Sequence, residues 1–320
     1  MNMKKTLIAA GVAAAMAVPM AATADVSLTA RLQAELTNTS GDFDEGLRIG
    51  DAMIGPGNVN SGNWSRVDLR TSHDLGNGLN AFSHISMNLN PQSFPSATRE
   101  SLLGVRGDFG SLSIGRMSNA AATQGKDPFV GTFMQARGNG GMLGGAGGLG
   151  NGGYLNQSLG YNGSFGPVGL GGTVSLDPVV DDGNHAYAVK VEVDVNPVNV
   201  WVAHTNADDY NGVDADQQIS KIGVSFSEGP FGVMAQYETV KDFMDFIMVA
   251  GTYRMGANTF LLGYGQGDAD FDGGDQQWIA LGVRHAFTRQ VSVHAGVRVT
   301  EFAEDDADET VVGAGMRVTF

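Results

Sequence analysis

Six histidines and 34 carboxylates are enough material for metal or acid–base chemistry, but their spacing builds neither. No His-Glu-x-x-His pair places two imidazoles on one helical face, and no Gly-x-Ser-x-Gly elbow lifts a nucleophile out of a sheet. The stretch DADFDG at 268–273 copies the first half of a calcium loop, yet its twelfth position is Ile279, where a bidentate glutamate is needed. It reads as a solvated acidic loop. GAGGLG at 145–150 matches the dinucleotide fingerprint by letter only. It lies in a run with Gly at ten of the sixteen positions 138–153, with no strand before it and no helix after it. No enzymatic constellation and no cofactor site emerge. What remains is a set of separated charges: Arg31, Arg66, Arg70, Arg116 and Arg298 in alternating stretches, and Lys126, Asp127 and Arg137 in a long connection.

The stretches that carry the arginines have a period of two. Val26, Leu28, Ala30, Leu32, Ala34 and Leu36 alternate with Ser27, Thr29, Arg31, Gln33 and Glu35. Tyr187 to Val195 and Val291 to Thr300 repeat the pattern, and Val312, Ala314, Met316, Val318 and Phe320 carry it to the last residue. Each ladder is about the 9–11 residues that a tilted strand needs to cross a bilayer. Short turns, at 76–78, 107–108, 162–164, 196–197, 228–230, 256–258 and 288–290, take turns with longer or acidic connections near 38–63, 90–98, 118–153, 177–184, 206–217, 240–245, 267–275 and 301–309. Seven turns and eight loops join sixteen strands. The pattern predicts an all-β protein, a transmembrane antiparallel β-barrel, closed because hydrocarbon offers no partner to an unpaired backbone group. A soluble sandwich also alternates, but its dry core would have to bury Arg31, Lys190, Glu192, Asp194 and Arg298 without partners.

The first 24 residues carry Lys4 and Lys5, an apolar run from Leu7 to Met20, and Ala22-Thr23-Ala24. This is the layout of a secretory signal peptide; the run is too short and Ala-rich for an anchor. Cleavage leaves a single barrel domain, 25–320, with no cysteine. Its net charge is 17 − 34 = −17, which argues against a nucleic-acid partner.

LLGVRGDFGSLSIGRM at 102–117 resembles the Gram-negative general porins, in which a strand, a GDFG-type turn and a strand ending in Gly-Arg precede the constriction loop. HDLGNGLNAF at 73–82 and LGVRHAFTRQVSVHAGVRV at 281–299 are similar to other hairpins of that family, and Phe320 to the terminal aromatic by which barrel-assembly machinery recognises such chains. The acidic Pro-Glu-Phe-Gly-Gly signature of the family's loop is absent from 118–153. The resemblance implies a homotrimer of sixteen-stranded barrels in the outer membrane of a Gram-negative bacterium, each passing ions and small hydrophilic solutes passively. It implies that the third loop, 118–153, folds inward as the constriction, with Lys126, Asp127 and Arg137 at the narrowing. Arg31 and Arg66 match the family's basic ladder, with Arg70, Arg116 and Arg298 on the same wall. Arg317 reads as a solvated lumen residue. Acidic clusters at 42–45, 181–182, 208–209, 268–272 and 304–306 would give weak cation preference and loose divalent-cation bridging to lipopolysaccharide. A substrate-selective porin, or a structural or adhesive barrel, is the alternative.

Overall fold

The computed structural model describes residues 25–51, 64–89, 98–136, 154–176, 185–208, 216–303 and 307–320. The expected signal peptide, 1–24, lies outside these residues, as do Arg137 and the rest of 137–153. The first strands are β1 (Asp25–Gly41), β2 (Gly46–Gly50), β3 (Arg66–Gly76), β4 (Leu79–Asn88), β5 (Thr98–Gly107) and β6 (Gly110–Ser118). A 3-10 turn at Gln124–Lys126 follows. Then come β7 (Tyr154–Phe165), β8 (Val168–Ser175), β9 (Ala186–Val195), β10 (Val198–Asp208), β11 (Asp216–Glu228) and β12 (Phe231–Val240). The chain ends with β13 (Met244–Met255), β14 (Asn258–Ala269), β15 (Gln276–Ala286), β16 (Val291–Phe302) and β17 (Asp308–Thr319). Strands β2 and β3 share one place in the wall: β2 runs beside 35–39 of β1 and β3 beside 25–31. The wall is therefore a sixteen-stranded antiparallel meander.

The wall closes on itself. β1 pairs with β17 from Arg31↔Thr319 to Gly41↔Glu309. Beyond that ladder, the Phe320 amide donates to the Ala30 carbonyl at 2.8 Å. Alternation sets the two faces. Leu32 and Leu36 point outward and stay exposed, whereas Gln33, Glu35, Thr37 and Thr39 point inward and are enclosed. The outer surface is apolar from strand to strand, through Val189, Ile222, Val249, Leu262, Leu281 and Val312. In water this exposure would cost roughly 25 cal/mol per Å²; against lipid it is the favourable face. Phe109, Phe165, Phe231, Tyr253 and Phe287 ring the short-turn end, with Phe231 and Tyr253 centroids 5.0 Å apart. Tyr187, Tyr237 and Tyr264 lie toward the other end. Aromatic rings at both margins are the arrangement that a membrane boundary favours.

Local chemistry accounts for the turns. At 76–78, Gly76, Asn77 and Gly78 all take positive φ, a conformation in which Gly and Asn are the least strained choices. One expected turn is displaced. Asn162, Gly163 and Ser164 stay inside β7, paired with Gly171, Leu170 and Gly169, and the chain reverses at Gly166-Pro167. Gly166 supplies the positive φ, while Tyr161 lies over Gly163 and donates its hydroxyl to the Phe109 carbonyl. The expected loop at 240–245 shrinks to three residues, 241–243, with Asp242 at φ 53°.

Candidate pore constriction

After β6 the chain turns into the barrel. The Ala120 amide donates to Thr173 Oγ1 at 3.1 Å, and Asn119 donates to Thr205 Oγ1 at 3.3 Å. Lys126 then reaches the wall, donating to Glu192 at 2.6 Å and Asn199 at 2.9 Å above the Trp201 ring. Beyond it, Phe129, Phe133 and Met134 pack on inward residues of the wall, among them Trp201, Met248, Leu261 and Trp278. The largest apolar cluster among the described residues thus lies between this loop and the barrel wall. A trench receives it: Gly282 of β15, Gly296 of β16 and Gly313 of β17 are directly opposed in register. A Cβ on Gly282 or Gly296 would run into Met134, and one on Gly313 would run into Thr37 and the Leu36 carbonyl, with Phe133 just beyond. Only a bare backbone leaves that room.

Polar side chains of the wall hold the loop backbone. Glu35 accepts from the Phe133 amide at 3.1 Å and pairs with His294 at 2.7 Å. Arg298 donates to the Phe133 carbonyl and pairs with Glu309 at 3.3 Å. The Gly131 carbonyl accepts from Gln33 at 2.7 Å and from Arg317 at 2.8 Å. Arg317 is therefore a fastening of the loop, in contrast to the solvated residue expected. Arg298 is buried by the same task and does not line the passage.

Asp127 also departs from expectation. Its carboxylate accepts from the amides of Phe129 at 2.7 Å and Ala136 at 2.9 Å, closing the loop on itself. It is enclosed. Burial pushes its pKa up to about 6, against the pull of those two amides and of Arg284. Arg116 is displaced for a different reason. It pairs with Ser101 on the outward row that carries Leu103 and Ile114, and donates to the carbonyls of Thr98 and Tyr154 and to Asn156. The ladder between β6 and β7 shifts at this point, where Gln157 takes φ 49°. Arg116 is thus on the outer surface.

The adjoining stretch of wall brings three expected residues together. Arg31 and Arg66 are register partners across β1 and β3. Arg31 stacks over Trp64 at 4.9 Å; Arg66 and Arg70 flank Asp68 at 2.9 and 3.6 Å. Four further neighbours complete the cluster, none of them singled out by the spacing of charges in the sequence. Asp68 is one, although Arg66-x-Asp68-x-Arg70 places all three on one face. His84 and Glu100 join Asp68 in a chain of contacts. Arg99, donating to Asn88 at 2.8 Å, enters through an irregularity between β4 and β5 that no alternation predicts. Among the described residues, no group of three or more His, Cys, Asp or Glu side chains could hold a metal ion. The acidic residues Asp181, Asp182, Asp209 and 304–306 lie outside the described residues.

Comparison with known proteins agrees with this architecture. The fold is similar to an anion-selective porin from Comamonas acidovorans, with a TM-score of 0.78 at 18% identity over 93% of this chain and 100% of that one. It is also similar to the trimer form of OmpT, an outer membrane protein of Vibrio cholerae, with a TM-score of 0.68 at 16% identity over 93% and 100% of the two chains. In sequence, 125 residues are 31% identical to the major outer membrane protein P.IB of Neisseria meningitidis serogroup B, covering 38% of this chain and 36% of that relative. The match thus spans about a third of the relative's length. The model of the Gram-negative porin family matches residues 9–305, and with the closed barrel and its inward loop in place, the chain belongs to that family.

Proposed function

We propose that this chain forms a water-filled channel in the bacterial outer membrane, through which ions and small hydrophilic solutes diffuse passively, with anions favoured at the constriction. One observation carries the ion preference. The inward loop's carboxylate, Asp127, is spent on the loop's own amides, whereas Arg31, Arg66 and Arg70 stand together on the wall facing the lumen. Of these, Arg70 is 48% exposed. A passage lined on one side by guanidinium groups attracts anions without fixing them, which suits rapid transit. Acidic outer loops alone would favour cations, but exposed charges more than about 8–10 Å from the narrowing are screened at physiological salt. The resemblance to a porin described as anion-selective points the same way.

Assembly as a trimer fits the outer surface of one flank. There Thr71 and Ser83 share a hydrogen bond of 2.8 Å, and Ser101 and Arg116 stand among apolar neighbours. Such polar groups are costly against lipid tails and better covered by another protein. Recognition of Phe320 by the barrel-assembly machinery and contact with lipopolysaccharide belong to the same proposal. Reversal potential under a salt gradient tests the ion preference. The wild type should reverse on the anion side, and Arg31→Ala with Arg66→Ala should move it toward the cation side. A wild-type channel that reverses on the cation side would contradict the reading.

A further inference from the structure

His84 stands on the lumen side of β4, opposite Arg70 of β3 and Leu102 of β5. Both of its ring nitrogens meet carboxylates: Nε2 is 2.9 Å from Asp68 and Nδ1 is 3.0 Å from Glu100. A neutral imidazole has one N–H, so one of these contacts would set a lone pair against a negative oxygen. Only the imidazolium donates to both. The site is reached from the passage, because 15% of the His84 side chain and 23% of Glu100 remain exposed. Charged groups from three strands surround the ring, and Asp25 of β1 lines the same cavity. Arg66, Asp68 and Arg70 come from β3, Arg99, Glu100 and Arg106 from β5, and Arg31 from β1 beyond Arg66.

The other described histidines are elsewhere. His73, His204 and His285 share register with outward residues of their hairpins, His294 is enclosed beneath the loop on Glu35, and His185 precedes β9 at the loop end. His84 is thus the one described imidazole on the open lumen wall.

We propose that His84 is a selectivity-determining residue, whose charge, bridged between Asp68 and Glu100, makes the channel's preference for anions depend on pH. With the ring protonated, Arg66, Arg70, Arg99 and His84 outnumber the two carboxylates. Loss of the ring proton removes one positive charge and sets an imidazole lone pair against one of the two carboxylates. Anion preference therefore falls as pH rises. The inference rests on the channel reading above, and its test separates the two.

Reversal potentials in a low-salt potassium chloride gradient, between pH 5.5 and pH 9, are compared for the wild type, His84→Gln and His84→Lys. The wild-type anion-to-cation permeability ratio should fall by about half across the titration of one lumen charge. His84→Gln should stay flat near the alkaline value and His84→Lys flat near the acid value. A wild-type ratio that does not move with pH, or an equal movement in His84→Gln, overturns this inference and leaves the channel standing. Absence of ohmic current from the wild type overturns both.

Discussion

At the scale of single residues, the same chemical group does different work according to what surrounds it. Asp127 and Asp68 are both inward aspartates, yet one is consumed by backbone amides and the other organises arginines. Replacing Asp127 with Asn should therefore leave the reversal potential within error of the wild type, as measured in planar bilayers. A shift toward anions would place the carboxylate back at the aperture. The raised pKa of Asp127 also has a thermodynamic sign. Between about 4 and 6 the folded protein holds a proton that the unfolded chain releases, so this group's contribution is present below about 4 and lost as pH passes about 6. The difference is on the order of 2–3 kcal/mol. Thermal melts in detergent should show wild type losing stability over that interval relative to Asp127→Asn. Equal pH profiles would contradict the burial argument. None of this is legible in the sequence, because a carboxylate's partners here are amides two and nine residues away in a loop without periodicity.

At the scale of elements, the period of two was sufficient for the strands, their faces and the alternation of turns with loops. It failed where the ladder slips. Arg99 enters the lumen through the irregularity between β4 and β5, whereas Arg116 follows Leu112 and Ile114 to the outside by the alternation itself. Glycines show the same limit. Their frequency in β14 to β17 is plain in the sequence, whereas the reason for Gly263, Gly282 and Gly296 is the loop seated on them. An alanine at Gly282 would meet Met134 Sδ at 2.7 Å and Cε at 2.8 Å, with only Ala295 O, at 3.4 Å, behind them. Gly282→Ala should lift the loop into the passage and lower single-channel conductance, at a stability cost of about 1–3 kcal/mol. Adding Met134→Ala should restore the current. Failure of that rescue would mean that the trench does not set the loop's height. Arg298→Ala should cost about 3–5 kcal/mol, because it strands Glu309 and the Phe133 carbonyl together. A melting temperature in detergent unchanged from wild type would contradict this.

At the scale of the whole molecule, a wall with an apolar exterior and a charged interior has one stable form in a bilayer, which is a closed one. Closure depends on the last strand, since β17 is hydrogen-bonded to β1 over eleven register pairs and Phe320 extends the ladder past Thr319. Removing residues 308–320 should abolish the heat-modifiable folded form on gel electrophoresis, where a mere surface strand would leave it intact. The sequence made this closure readable because alternation marks 308–319 as a strand with one apolar and one polar face; it could not reveal which charges the inward loop would hide. The most direct measurement is single-channel recording of the purified protein in a planar bilayer. Openings should be stepwise and ohmic, come in threes, and reverse on the anion side of a salt gradient. Insertion of folded protein without such steps would contradict an open aqueous passage.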